Sequence, residues 1–261
     1  TLPEGITEIL LDAFKNCRSL TAISLPESLT SIGEDAFYKC ENLTTITIPQ
    51  DVTNIGDGAF VGCYGLYSIH VTEGNTIYDS RDNCNAIIET ATNTLVCGCE
   101  ATIIPNSVTT IEQFAFYTCG RLEKIKMSNS ITSIGKQAFE STAYYYRDNW
   151  KHGVLYIGDC LIDAKYDIFG KYVISQGTRF IADGAFSSCP SLTSVVLPNS
   201  VEIIGREAFT SCYELTDIVV PCNIKSLGER AFYRSGINRI TFSANSIEEY
   251  CQSNINQMLS K

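Results

Sequence analysis

The chain has 261 residues, 44% of them apolar and 18% charged, so it carries enough apolar surface for a sizeable core and is not a disordered tail. Its net charge of −10 repels phosphate backbones and argues against a nucleic-acid partner. No apolar run approaches the roughly 18 residues that a membrane span needs.

The chain opens inside a pattern: LPEGITEI at 2–9 returns as LPESLTSI at 25–32. The sequence is therefore expected to be a mature or trimmed piece of a longer protein, with any export signal outside it. DAFKNC (12–17), DAFYKC (35–40) and GAFVGC (58–63) then repeat one phrase. Aligned on the Phe of each Ala-Phe pair, the repeats fall at Phe14, Phe37, Phe60, Phe116, Phe139, Phe186, Phe209 and Phe232. Five of the seven intervals are 23 residues; the other two are 56 and 47. A fixed period in the twenties is the signature of a solenoid.

Other columns keep the same spacing. Five residues before each Phe stands an aliphatic side chain: Ile9, Ile32, Ile55, Ile111, Ile134, Ile181, Ile204 and Leu227. Six after it, in six of the turns, stands Leu20, Leu43, Leu66, Leu122, Leu192 or Leu215. The stretch L-x-x-I-x-L ends in period-2 alternation and reads as a short strand, closed by Pro26, Pro49, Pro198 or Pro221. Gly33, Gly56, Gly135, Gly205 and Gly228 follow the Ile or Leu column, where a glycine allows a tight corner. A-F-x-x-C fits one helical turn with Phe and Cys on one face. One repeat cannot bury this much apolar surface alone, so neighbours are expected to stack with their strands in a parallel sheet.

Three residues after the Phe stand Cys17, Cys40, Cys63, Cys119, Cys189 and Cys212, with Thr142 and Ser235 in the two remaining turns. The slot wants a small side chain, and in-register stacking aims all the thiols the same way, which is poor disulfide geometry. The expectation is a ladder of reduced core thiols beside a ladder of Phe anchors.

These columns resemble the BspA-type leucine-rich repeats, and LTSIGEDAFYKCENLTTITIP (29–49) reads like that family's consensus. The two long intervals are similar to the family's irregular turns, at 73–99 and 153–186. The resemblance implies an α/β, right-handed leucine-rich-repeat solenoid. It has a 23-residue period, a parallel β-sheet on one face, short helical turns and two irregular β-hairpin-like turns. One domain is expected over 1–261. Its regular turns would cover about 1–72, 104–140 and 178–246, its irregular turns 73–103 and 141–177, and a helical C-terminal cap 247–261. The resemblance also implies a bacterial cell-surface or extracellular location, often with a lipoprotein anchor, and adhesin-like members.

The candidate chemistry is sparse. His70 and His152 are the only histidines, and neither lies in a nucleophile or metal motif. No enzyme activity and no cofactor are expected. Cys84, Cys97 and Cys99 form a second thiol group. Free thiols, a Cys84–Cys99 disulfide across a hairpin turning at 90–93, and a metal site are the three readings; zinc would ask for better spaced ligand pairs. Cys160, Cys222 and Cys251 lie off the ladder with no assigned role.

Binding offers more. The outward strand positions are mostly Thr and Ser, with an aromatic and ionic patch of Tyr67, His70, Glu123, Lys124 and Lys126. A second candidate is STAYYYRDNWKHG (141–153), with Tyr144, Tyr145, Tyr146 and Trp150 beside cations. The plainer reading of the first set is a solvated strand face, and of the second, cover for the core where the repeat breaks. The favoured function is a monomeric, non-enzymatic interaction module for a protein or glycan outside the cell; the alternative is a structural spacer with no ligand of its own.

Overall fold

The computed structural model describes residues 1–117 and 119–243. The chain forms two compact units, Thr1–Ile131 with Gln137–Asp148, and Thr132–Lys136 with the chain from Asn149 onward. Each is a stack of turns in which residues 23 apart become neighbours, so the fold is a leucine-rich-repeat β-solenoid.

Two parallel ladders run through the stack, not one. In the first unit Glu8–Ile9, Ser31–Ile32 and Asn54–Ile55 pair in register, so Ile9, Ile32 and Ile55 align. The L-x-x-I-x-L segments make the other ladder, Thr45–Ile48 beside Ser68–Val71. The second unit repeats the scheme. Cys160–Ala164, Phe180–Ile181, Ile203–Ile204 and Ser226–Leu227 form one sheet, and Gly170–Val173, Leu192–Val196, Asp217–Pro221 and Arg239–Ser243 the other. The burial alternation in Thr45–Ile48 and Ser68–Val71 puts Ile46, Ile48, Ile69 and Val71 in the core.

The A-F-x-x-C segment is a series of turns, not the expected helical one. Residues two before and two after the Phe are left-handed: Asp12 and Asn16, Asp35 and Lys39, Gly58 and Gly62, Gly184 and Ser188, Glu207 and Ser211. Alternate N–H groups then point in different directions. Those of Ala36, Tyr38 and Cys40 close turns onto Gly33, Asp35 and Phe37. Those of Asp35, Phe37 and Lys39 cross to the carbonyls of Asp57, Ala59 and Val61 at 3.0, 2.8 and 2.8 Å. Every backbone donor of the segment has a destination, the condition for burying a non-helical loop. Asp12, Phe14 and Asn16 make the same three-bond rung, as do the trios starting at Gly184 and Glu207.

The recurring glycine after Ile or Leu is explained by stacking and not by a corner. A Cβ at Gly56 or Gly228 would lie 2.3 or 2.2 Å from the backbone N of Glu34 or Arg206 in the preceding turn. Thr hydroxyls add a lateral tie: Thr30, Thr44 and Thr53 each donate Oγ1–H to the carbonyl 23 residues earlier.

The Phe rings stack inside the turns. Phe14–Phe37, Phe37–Phe60, Phe116–Phe139, Phe186–Phe209 and Phe209–Phe232 have centroids 5.1–5.5 Å apart and planes within 13°. The thiols serve as donors. Cys40, Cys63 and Cys212 each point Sγ–H at the carbonyl of the Phe one turn earlier, at 3.2, 3.2 and 3.0 Å. Thr142 and Ser235, with shorter reach, donate to the Phe carbonyl of their own turn instead, at 2.8 and 2.7 Å. Cys17 in the first turn is exposed, unlike Cys40, Cys63, Cys189 and Cys212.

In the first irregular turn, Tyr78–Asp79, Ala86–Glu89 and Thr94–Gly98 form an antiparallel hairpin whose last strand rejoins the parallel ladder at Thr110–Ile111. Gly98 takes the place of a ladder Phe: its N–H reaches Ala115 at 2.8 Å, and the Phe116 ring fills the space a side chain would need. In the second, Trp150–Lys151, Val154–Ile157 and Cys160–Ala164 make an antiparallel meander.

The structure corrects one thiol reading. Cys84 and Cys99 are both free and buried. A bulge between Ile87 and Ile88 shifts the hairpin register by one residue, so Ala86 faces Gly98 and Cys84 is no longer opposite Cys99. Cys99 Sγ instead meets the Asn85 carbonyl at 3.3 Å. Cys222 is disulfide-bonded, which the sequence reading did not anticipate. The expected cap over 247–261, and Cys251 within it, lie outside the described residues.

Candidate ligand-binding surface

The outward face of the first unit's sheet is polar and shallow. Thr47 pairs with His70 and Thr45 with Ser68, and Thr47, Tyr67 and His70 are exposed. Glu123, Lys124 and Lys126 are exposed too, but their segment forms no strand. Glu123 pairs with Arg147. Among the described residues no hydrogen bond or ion pair joins Tyr67 or His70 to Glu123, Lys124 or Lys126.

The tyrosine-rich segment is divided. Thr142 caps the short helix Ala143–Tyr146 by accepting from the Tyr145 N–H at 3.0 Å. Tyr144 is half-buried, with its N–H on the Leu122 carbonyl at 2.7 Å. Tyr145 packs edge-on to Tyr146 at 5.7 Å. Trp150 belongs to the second unit, where Lys165 Nζ lies 5.5 Å over its ring. His152 is exposed, in a left-handed backbone position.

Tyr146, 74% exposed, does belong to a concave site. A cleft of about 320 Å³ is lined by Tyr38, Lys39, Val61, Gly62, Tyr64, Tyr117, Ser141 and Tyr146. The turn geometry positions these side chains. Tyr38, Val61 and Tyr117 each follow a buried ladder Phe and so point away from the core. Lys15, at the same column, is held by Asp12 and Asp35 at 2.8 Å each, with its ammonium 5.0 Å over Tyr38. Lys39 stands 5.1 Å from the same ring. Tyr117 is edge-on to Phe114 at 5.5 Å, and the Tyr146 and Ser141 hydroxyls are 3.1 Å apart. Burial, then the charge of Glu140, pushes the Tyr117 phenol up. Aromatic faces, phenolic hydroxyls and Lys39 make a surface suited to stacking and hydrogen-bonding a sugar ring or a polar peptide.

Tyr38, Tyr64 and Tyr117 were not singled out by the sequence. The signal was present, since aligning AFYKC with AFYTC puts two tyrosines in one column. Among the described residues no group of three or more His, Cys, Asp or Glu is placed to hold a metal ion. No helix there is long and apolar enough to cross a membrane.

A family model, the BspA type Leucine rich repeat region, matches residues 1–93, 94–162 and 170–260 in six copies. The chain belongs to the BspA-type leucine-rich-repeat family. Among solved structures with this type of fold, a leucine rich cell surface protein from Faecalibacterium prausnitzii A2-165 is 27% identical with a TM-score of 0.50. The match covers 98% of this chain and 61% of that one, so the chain spans about three fifths of that protein's length. A leucine-rich repeat protein from Bacteroides ovatus is 23% identical over 94% of this chain and 77% of that one, with a TM-score of 0.41. The pneumococcal vaccine antigen PcpA is 19% identical over 93% of this chain and 56% of that one, with a TM-score of 0.42. Comparison with curated proteins gives no match.

Proposed function

We propose that this BspA-type repeat chain is a non-enzymatic interaction module that works at a bacterial cell surface and binds a protein or glycan in its tyrosine cleft. The observation that carries the reading is the convergence of Tyr38, Tyr64, Tyr117 and Tyr146 with Lys39 on one concave surface. The likeness to a leucine rich cell surface protein supports the location. Binding here needs no chemistry from the side chains, only a stiff backbone that holds the rings apart, and the stacked turns supply that stiffness. The sheet face of Thr47, Tyr67 and His70 then acts as solvated cover.

The test is binding of the purified chain to an array of defined glycans and a panel of purified extracellular-matrix proteins, alongside Tyr64→Ala/Tyr146→Ala. Both side chains are exposed, at 43% and 74%, so the fold survives their removal. A ligand that binds the parent chain and weakens about tenfold or more in the double variant supports the reading. Equal binding by both chains, or no binding partner, contradicts it and leaves the chain as a spacer.

A further inference from the structure

In the turns of Phe14, Phe37, Phe186 and Phe209 three backbone N–H groups, at alternate residues, find carbonyls in the next turn. After the third turn this stops. The next turn is the hairpin, which offers no Ala-Phe-x-x-Cys loop. Among the described residues the N–H groups of Gly58, Phe60 and Gly62 meet no acceptor in the protein, although the equivalent groups of Asp35, Phe37 and Lys39 all do. Gly58 and Gly62, at φ 67° and 80°, keep the left-handed conformation of the other rungs, so the donors are already in position. The Gln113 carbonyl, across the gap, accepts from no described group.

The two walls enclose a cavity of about 120 Å³ whose lining includes Ala59, Cys63, Leu66, Val96 and Cys97. Phe60 is only 7% exposed and Gly62 is buried, so these donors are partly shut off from water, a costly state for a peptide N–H. We propose that this gap is a docking slot for an extended peptide segment of a protein partner. The segment's carbonyls would accept from Gly58, Phe60 and Gly62, one of its N–H groups would donate to Gln113, and one small apolar side chain would fill the cavity.

The alternatives fit less well. Donors at every second residue are spaced along a line, as at the edge of a sheet, and do not converge on a point as an anion needs. Asp57 and Glu112 also line the gap and repel an anion. The cavity is far below the roughly 300–1,000 Å³ of a small-molecule site. The slot adjoins the tyrosine cleft, which Gly62, Val61 and Tyr117 also line, but differs from it in what it recognises, backbone against rings, and stands if that reading fails.

The experiment selects a display library of random, cysteine-free linear peptides on the intact chain, then follows the backbone amide resonances with the selected peptides. The expected result is that they share one small apolar residue, and that the amides of Gly58, Phe60 and Gly62 shift and gain protection on binding. Gln113→Trp, an exposed position that lines this gap and not the tyrosine cleft, should weaken the peptides about tenfold or more. Tyr64→Ala/Tyr146→Ala should leave them unchanged. Failure to select any peptide, binding that leaves those three amides unchanged, or equal affinity for Gln113→Trp would overturn the proposal.

Discussion

At the scale of the residue, the repeated Phe and Cys have distinct tasks. The Phe fills the core and stacks on its neighbours; the Cys finishes the hydrogen bonding of the previous Phe's carbonyl, which a hydroxyl in the same slot does not reach. Burial decides what each Phe is worth. Phe37 is fully buried, so Phe37→Ala should lower unfolding free energy by about 3–5 kcal/mol in urea titrations. Phe14, half-buried in the first turn, should cost distinctly less when cut to Ala. Equal losses at the two positions would mean that the rings do not act through burial.

The scale of the element is where sequence and structure part. The period, the aliphatic columns and the L-x-x-I-x-L strands were legible because in-register stacking imposes one residue type on one position. The conformation of A-F-x-x-C was not, since Phe and Cys three apart fit a helical turn and a chain of β-turns equally well. The deciding positions are left-handed, yet Asp, Asn, Lys, Glu and Ser occupy most of them, so no glycine pattern betrayed them. The one-residue bulge at Ile87 and Ile88 left no mark either, and it undid the Cys84–Cys99 pairing. Of the candidate site, Tyr146 was legible and Tyr38, Tyr64 and Tyr117 were not, because they converge only when separate turns stack. The glycine column tests the stacking itself. Gly→Ala in a permissive backbone stabilises by about 0.4–1 kcal/mol, but Gly228→Ala drives a Cβ into the Arg206 backbone. It should instead destabilise by about 1–3 kcal/mol, seen as a lower urea midpoint.

At the scale of the molecule, the buried thiols tie stability to pH. Burial pushes Cys40 and Cys212 up to about 11, and Cys63 and Cys189 up to about 12, from an ordinary value of 9.0. The folded chain therefore holds protons that the unfolded chain has lost between about pH 9 and 12. The thiols' contribution is whole below pH 9 and is lost as pH rises through that window. Urea midpoints should fall across it, and more shallowly for Cys212→Ala. The same burial keeps these thiols unreactive in the native state, while exposed Cys17 should alkylate at once.

The central claim is that three-bond backbone rungs lock the turns of Phe14, Phe37 and Phe60 one to the next, and that the lock is broken at the first irregular turn, where a partner can dock. Residue-resolved amide hydrogen exchange on the free chain tests it most directly. The N–H groups of Asp35, Phe37 and Lys39 should exchange slowly, and those of Gly58, Phe60 and Gly62 faster by orders of magnitude. Equal protection of the two sets would show that the third rung is already closed, and would contradict the account.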